Sequence, residues 1–170
     1  MNRRKQLFWT VLAISFAGSL PPGILNTGIT GLAVKQGVAA SLSFGLGAIL
    51  SEMLVVRIAL AGTTSLKTTG PNPRRKWIYL ITTGLLLLLA FLHPGGSVAF
   101  SRYPFITGTL LSLFNPLHLP FWLGWRAALR SKKLLGNTPP EYNLFSAALG
   151  VGTALAFLVY GVAGNLFVRL

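Results

Sequence analysis

The sequence contains no cysteine and no aspartate, and Glu52 and Glu141 are its two acidic residues. Disulfides, thiolate metal sites and aspartyl catalysis are therefore excluded. Two histidines are the other candidate ligands, so a metal centre or a catalytic acid/base pair has almost nothing to be built from. We expect neither an enzyme nor a protein that carries a cofactor.

Charge of either sign is also scarce. Charged residues make up 10% of the chain and hydrophobic residues 52%, whereas a soluble domain carries about 25% charged residues. Uncharged runs cover residues 6–34, 36–51, 77–92, 103–125 and 142–168. Most of them reach the roughly 17 to 25 residues that a helix needs to cross a bilayer. The sequence therefore predicts an all-α integral membrane protein with five spans.

The charges that are present are mostly basic, with a formal net charge of +13. They lie between the apolar runs and form no continuous basic surface, so we expect no nucleic-acid partner. When Arg57 is assigned to the second span, the Lys and Arg counts outside the spans alternate as three, one, four, one, four and one, the last group of four being Arg126, Arg130, Lys132 and Lys133. The positive-inside rule then predicts a multi-pass protein of the cytoplasmic (inner) membrane with a cytoplasmic N-terminus.

Two of the five runs are interrupted near their middle. The first contains Pro21-Pro22-Gly23 and the fourth contains Asn115-Pro116. Proline removes an amide donor and clashes with the preceding turn, so both helices should break there. Each broken run is followed by a glycine-rich one, at residues 44–48 and 149–153.

This pattern predicts an internal repeat. A unit of three spans reverses its orientation on the second copy, which gives an inverted repeat with paired broken helices, as is typical of transporters. The boundaries are 1–100 for the first copy and 101–170 for the incomplete second copy, within one transmembrane domain. On this hypothesis a sixth span is missing. Either the chain is shortened or a partner supplies that span.

Glu52 is the candidate proton-coupling residue. It lies near the middle of the second span, where a carboxylate is costly unless it is protonated or paired, and acidic groups at such depth are functional by default. The alternatives are a permanently neutral Glu52 with one interhelical hydrogen bond, or a pair with Arg57. Five residues apart, the two side chains point about 140° away from each other around an ideal helix, which disfavours the pair.

The two breaks are the candidate substrate site. Backbone groups freed in the hydrocarbon region are tolerated where they line a cavity. A half-helix that begins near Ile24 would direct its amides there, and a substrate carboxylate would suit them. Phe121 and Trp122 are interpreted as packing residues that could also line a pathway. The candidate substrate-binding residues are Pro22, Gly23, Asn26, Asn115, Pro116 and His118.

These motifs resemble the LysE-type family of amino-acid exporters (LysE/RhtB-like translocators) over nearly the whole chain. Members of that family have a Pro-Gly-Pro break in the first helix, a glycine-rich second helix and a later Asn-Pro-Lys signature. Pro22 and Gly23 match the first motif, where Ile24 replaces the second proline. Asn115 and Pro116 match the later signature, where Leu117 replaces the lysine. The resemblance implies about six spans and proton-driven export of small amino acids or related polar metabolites.

The function predicted from the sequence is therefore secondary transport. A small amino acid or related zwitterion would leave the cytoplasm by proton antiport with alternating access, so the partners are this substrate, protons and the lipid bilayer. Self-association into a homo-oligomer is left open. Two alternatives remain: a non-transporting membrane subunit or assembly factor, and a cation exporter in which Glu52 is a ligand. The shortage of other ligands argues against the cation exporter.

Overall fold

The computed structural model describes residues 2–62, 102–115 and 117–169, and within them all regular structure is helical. The six helices are α1 (Arg3–Ser19), α2 (Ile24–Gln36), α3 (Val38–Gly62), α4 (Pro104–Leu113), α5 (His118–Ser131) and α6 (Pro139–Arg169). The predicted third span, residues 77–92, lies outside the described residues. An all-α architecture is therefore confirmed for the described part of the chain.

The predicted break in the first span is present. Asn2 caps α1, its side chain accepting a hydrogen bond from the backbone N–H of Arg4 at 3.1 Å. Helix α1 then ends at Ser19, α2 begins at Ile24, and their axes are bent by 72°. Together the two helices are apolar and long enough for one broken span.

The second and fifth runs form long helices. Residues 38–61 of α3 and 139–164 of α6 are each long and apolar enough to cross a membrane. Helix α3 continues past Glu52 to Gly62, so one acidic residue does not end it. With the bent pair, the described residues provide two or three candidate spans, which fits an all-α membrane protein.

The fourth run is divided into two helices at the predicted place. Helix α4 ends at Leu113 and α5 begins at His118, with the intervening residues outside both. Arg126 and Arg130 lie within α5, so the connection to α6 is limited to residues 132–138. Arg126 is 5% exposed, whereas Lys132 and Lys133 are exposed as a loop requires.

Glycines allow the helices to approach closely. A Cβ at Gly47 of α3 would meet the backbone oxygen of Phe105 in α4, and one at Gly108 of α4 would meet the backbone oxygen of Phe44 in α3. A Cβ at Gly152 of α6 would come within 2.6 Å of the Leu12 oxygen in α1. Small residues at membrane helix interfaces have this effect generally.

Two apolar clusters fill the interior, one on each side of Glu52 in the bundle. The first, here called the Trp122 cluster, consists of Leu7, Val11, Val56, Leu60, Trp122, Leu129, Leu135, Tyr142, Phe145, Ala148 and Leu149. The second, here called the Phe157 cluster, consists of Ile29, Leu32, Phe44, Ala48 and Phe157. Along α3, Glu52 lies between Ala48 of one cluster and Val56 of the other.

Large apolar side chains also cover the outside of the bundle. On α3 they recur at every fourth position, with exposed fractions near one half: Leu42, Leu46, Leu50, Leu54 and Ile58. Soluble monomers rarely expose such continuous apolar surface. A face of this kind is suited to lipid.

Candidate functional site

A cavity of about 300 Å³ lies where the two helix breaks face α3 and α6. Glu52 lines it, together with five of the six predicted substrate-binding residues: Pro22, Gly23, Asn26, Asn115 and His118. The sixth, Pro116, lies outside the described residues. The fold thus brings together residues that are as much as 96 positions apart in the sequence.

Glu52 is held by two hydrogen bonds from two different helices. The indole Nε1–H of Trp122 on α5 donates to Oε1 at 2.9 Å, and the hydroxyl of Thr153 on α6 donates to Oε2 at 3.0 Å. Glu52 is 5% exposed. Hydrogen bonds to a charged group contribute about 1.5 to 3 kcal/mol each, so these two donors offset much of the cost of burying a carboxylate.

Ser15 of α1 lies against Thr153. The hydroxyl of Ser15 donates to the backbone oxygen of Leu149 at 2.8 Å, and its oxygen lies 3.0 Å from that of Thr153. Ser15, Leu149 and Thr153 are all buried. Because Gly152 lets α1 and α6 approach closely at the same level, the network joins α1, α6 and α3 around the carboxylate.

His118 stands beside Glu52 at the start of α5. Its Nε2 lies 3.9 Å from Oε1 of Glu52 and 3.0 Å from Nδ2 of Asn115. The shorter contact suits an Asn115 amide that donates to an unprotonated Nε2. The Asn115 Oδ1 accepts from the backbone N–H of Leu117 at 3.1 Å, so this residue also shapes the second break.

Asn26 satisfies the backbone that the first break leaves free. Its Nδ2 donates to the carbonyl oxygens of Ser19 and Pro21, both at 2.8 Å. The hydroxyl of Tyr160 donates to the carbonyl oxygen of Leu20. Three consecutive carbonyls are thereby paired, as an interrupted helix at membrane depth requires.

The other end of the Asn26 amide is unused. Its Oδ1 is buried and has no hydrogen-bond partner among the residues the structure describes. Asn26 lines the cavity and is 5% exposed. An acceptor in this state is available to a donor that enters the cavity, such as an ammonium group.

The N-terminus of α2 also borders the cavity. Its cap, Gly23, offers no side-chain acceptor to the first amides of the helix. A Cβ placed on Gly23 would meet no atom within 4 Å, so the space beside it is open. The first turn of a helix carries partial positive charge and suits an anionic group.

The rest of the wall is apolar, with Leu25, Leu117, Phe121, Trp122 and Phe157 among its members. Trp122 and Phe157 each also belong to the cluster named after them, so the cavity separates the two clusters. Such a wall suits an apolar side chain.

Two residues that bind Glu52 were not predicted as site residues. Trp122 was expected to pack, and it does contact Phe145 edge to face at 5.6 Å. Thr153 lies at the end of the glycine-rich segment at residues 149–153. An indole N–H that needs an acceptor when buried was the available signal for Trp122.

Arg57 does not pair with Glu52. Its Nε donates to Oδ1 of Asn143 at 2.8 Å, and its guanidinium lies 5.4 Å from the ring centroid of Tyr142. Within residues 2–62, 102–115 and 117–169, no three His, Cys, Asp or Glu side chains come together as a metal site would need.

Comparison with known proteins gave one informative relative. The chain is 23% identical over 174 residues to "Putative amino acid efflux protein YcgF" of Bacillus subtilis (strain 168). The alignment covers 96% of this chain and 83% of that protein. No family model matches the chain. No solved structure matches it significantly.

Proposed function

We propose that this protein is a LysE-type secondary transporter that exports a small amino acid or a related polar metabolite from the cytoplasm by proton antiport. One observation carries the proposal: Glu52, buried and hydrogen-bonded by Trp122 and Thr153, lines a cavity formed by two broken helices. The Bacillus subtilis relative is named for amino acid efflux, which supports the same activity at a coarse level.

Glu52 supplies the coupling. A proton and a substrate ammonium group both neutralise a carboxylate, and one carboxylate favours one of them at a time. Binding of substrate therefore expels the proton, and binding of a proton expels the substrate. This competition is the requirement for antiport. In this proposal His118, whose Nε2 lies 3.9 Å from Oε1 of Glu52, passes the proton on.

The substrate lies across the cavity between the two breaks. Its ammonium group is directed to two acceptors of the wall, Oδ1 of Asn26 and the carboxylate of Glu52. Its carboxylate lies at the amides that begin α2 after Gly23. The apolar wall receives the side chain. Each polar group of a small zwitterion thus has a partner of opposite character.

Alternating access uses the two apolar clusters as gates. The orientation predicted from the basic residues puts the Trp122 cluster on the cytoplasmic side and the Phe157 cluster on the outer side. When the residues of one cluster stay packed and those of the other move apart, the cavity opens to the membrane face on the side of the opened cluster. The inverted repeat predicted for the chain provides two similar gates on opposite faces.

The test is transport by the purified chain in proteoliposomes. Each of the twenty labelled amino acids is offered in counterflow and then under an imposed pH gradient, with protein-free liposomes as the control. We expect counterflow of at least one apolar amino acid, and accumulation that depends on the gradient. Absence of any amino acid transport would contradict amino acid export and favour a non-transporting subunit, whereas transport of metal cations offered in the same assay, without amino acid transport, would favour the cation exporter.

A further inference from the structure

Arg126 is a buried cation with unused hydrogen-bond donors. It is 5% exposed, and its Nε and Nη2 atoms have no hydrogen-bond partner in the part of the chain that the structure describes. The two carboxylates of the sequence are engaged elsewhere. Glu141 forms an ion pair with Arg3 and accepts from Thr138, while Glu52 accepts from two other helices.

The position of Arg126 connects it to the cavity. On α5 the residues His118, Trp122 and Arg126 follow each other at intervals of four, which places them on one face of the helix. The first two line the cavity, and Arg126 lies one turn beyond Trp122, about 6 Å further along the axis. Leu129 continues the same buried face, and both it and Trp122 belong to the Trp122 cluster.

The chemistry of the Arg126 guanidinium limits which groups can pair with it. A guanidinium keeps its charge in proteins, so it cannot become neutral when buried. An uncompensated buried charge is strongly unfavourable, so a buried guanidinium with free donors favours an anionic partner. The planar fork of donors fits a carboxylate with two parallel hydrogen bonds.

From this geometry we infer that Arg126 binds the carboxylate of the substrate on the cytoplasmic side of Trp122, before the substrate reaches the cavity. The inference rests on the proposed function, because it requires the Trp122 cluster to open toward the cytoplasm. Arg126 then selects substrates that carry a carboxylate and repels cations that lack one. The substrate class becomes carboxylate-bearing metabolites, with zwitterionic amino acids favoured by the acceptors of the cavity.

The test uses three probes with the same carbon skeleton but different charge. Leucine is a zwitterion, leucinamide lacks the carboxylate, and 4-methylpentanoate lacks the amino group. Their binding to the purified full chain is measured from the shift in thermal unfolding midpoint with concentration. For the wild type we expect stabilisation by leucine and by 4-methylpentanoate, and a markedly smaller effect of leucinamide.

Three variants are measured in the same way. Arg126→Gln should weaken the binding of leucine and of 4-methylpentanoate about tenfold or more, and leave that of leucinamide unchanged or stronger. Arg126→Lys keeps the positive charge but lacks the planar set of donors, so it should bind leucine and 4-methylpentanoate more tightly than Arg126→Gln and less tightly than the wild type. Lys132→Gln, which removes an exposed cation one residue beyond α5, is the matched control and should bind all three probes as the wild type does.

The outcomes separate the two proposals. Equal binding of leucine and leucinamide by the wild type, no binding of any probe, or an Arg126→Gln variant that discriminates as the wild type does would overturn the role of Arg126. Discrimination that disappears in Arg126→Gln would support that role even if proteoliposomes show no amino acid transport. In that case the exporter function fails while the carboxylate site stands.

Discussion

The indole N–H of Trp122 donates to Oε1 of Glu52 across 2.9 Å, joining the end of the Trp122 cluster to the buried carboxylate. The same indole packs edge to face against Phe121 at 5.0 Å and against Phe145 at 5.6 Å. A movement that turns the Trp122 indole would break the bond to Glu52. In the proposed transport cycle, this contact would link the charge state of Glu52 to the packing of the Trp122 cluster.

Replacing Trp122 by Phe tests the link, because Phe keeps an aromatic ring but removes the N–H donor. Loss of one hydrogen bond to a charged group amounts to about 1.5 to 3 kcal/mol. We expect normal membrane insertion, a transport rate lower by about tenfold, and a displaced dependence of the initial rate on pH. Trp125→Phe is the control, since Trp125 is 38% exposed. An unchanged pH profile in Trp122→Phe would show that the indole N–H takes no part in coupling export to proton movement.

Substituting Ala for both Pro21 and Pro22 should straighten the first span. Alanine restores two amide donors and favours the helix, whereas the wild-type axes are bent by 72°. The chain has no cysteine, so spin labels can be placed at Trp9→Cys on α1 and Val34→Cys on α2. The distance between the labels should increase, and substrate binding should weaken. A longer distance with wild-type binding would show that the break is incidental to function.

The contact of α3 with α4 depends on Gly108. Its Cβ position is occupied by the backbone oxygen of Phe44, and backbone cannot move aside as a flexible side chain can. Gly108→Ala should lower the free energy of unfolding by about 1 to 3 kcal/mol, the usual effect of overpacking. Gly124→Ala on α5 is the control because nothing lies within 4 Å of its Cβ position. Thermal unfolding in detergent measures both variants. Equal unfolding midpoints for Gly108→Ala and Gly124→Ala would contradict the close contact of α3 with α4.

The orientation of the chain can be tested with single cysteines at two exposed lysines. A cysteine at Lys35, the last turn of α2, should react with a membrane-impermeant maleimide from the outer side of intact cells. A cysteine at Lys132, just after α5, should react only after the membrane is permeabilised. The opposite pattern of labelling would reverse the assignment of the two gates.

The sequence predicted the two helix breaks, because a break is a local feature. Proline acts on its own helix, so both interruptions were foreseeable from Pro21-Pro22 and from Asn115-Pro116. The bonds from Trp122 and Thr153 to Glu52 were not foreseeable, since they depend on how three helices rotate against one another. No local pattern in the sequence indicates that Arg126 is buried, because its burial depends on how the helices pack.

The central claim is that Glu52 couples substrate export to proton movement, and the most direct measurement compares Glu52→Gln with the wild type in proteoliposomes. Glu141→Gln is the matched control, because it removes the other acidic residue of the sequence. The account predicts that Glu52→Gln inserts normally but loses the transport driven by a pH gradient, while Glu141→Gln keeps it. Gradient-driven transport by Glu52→Gln at the wild-type rate would contradict the account.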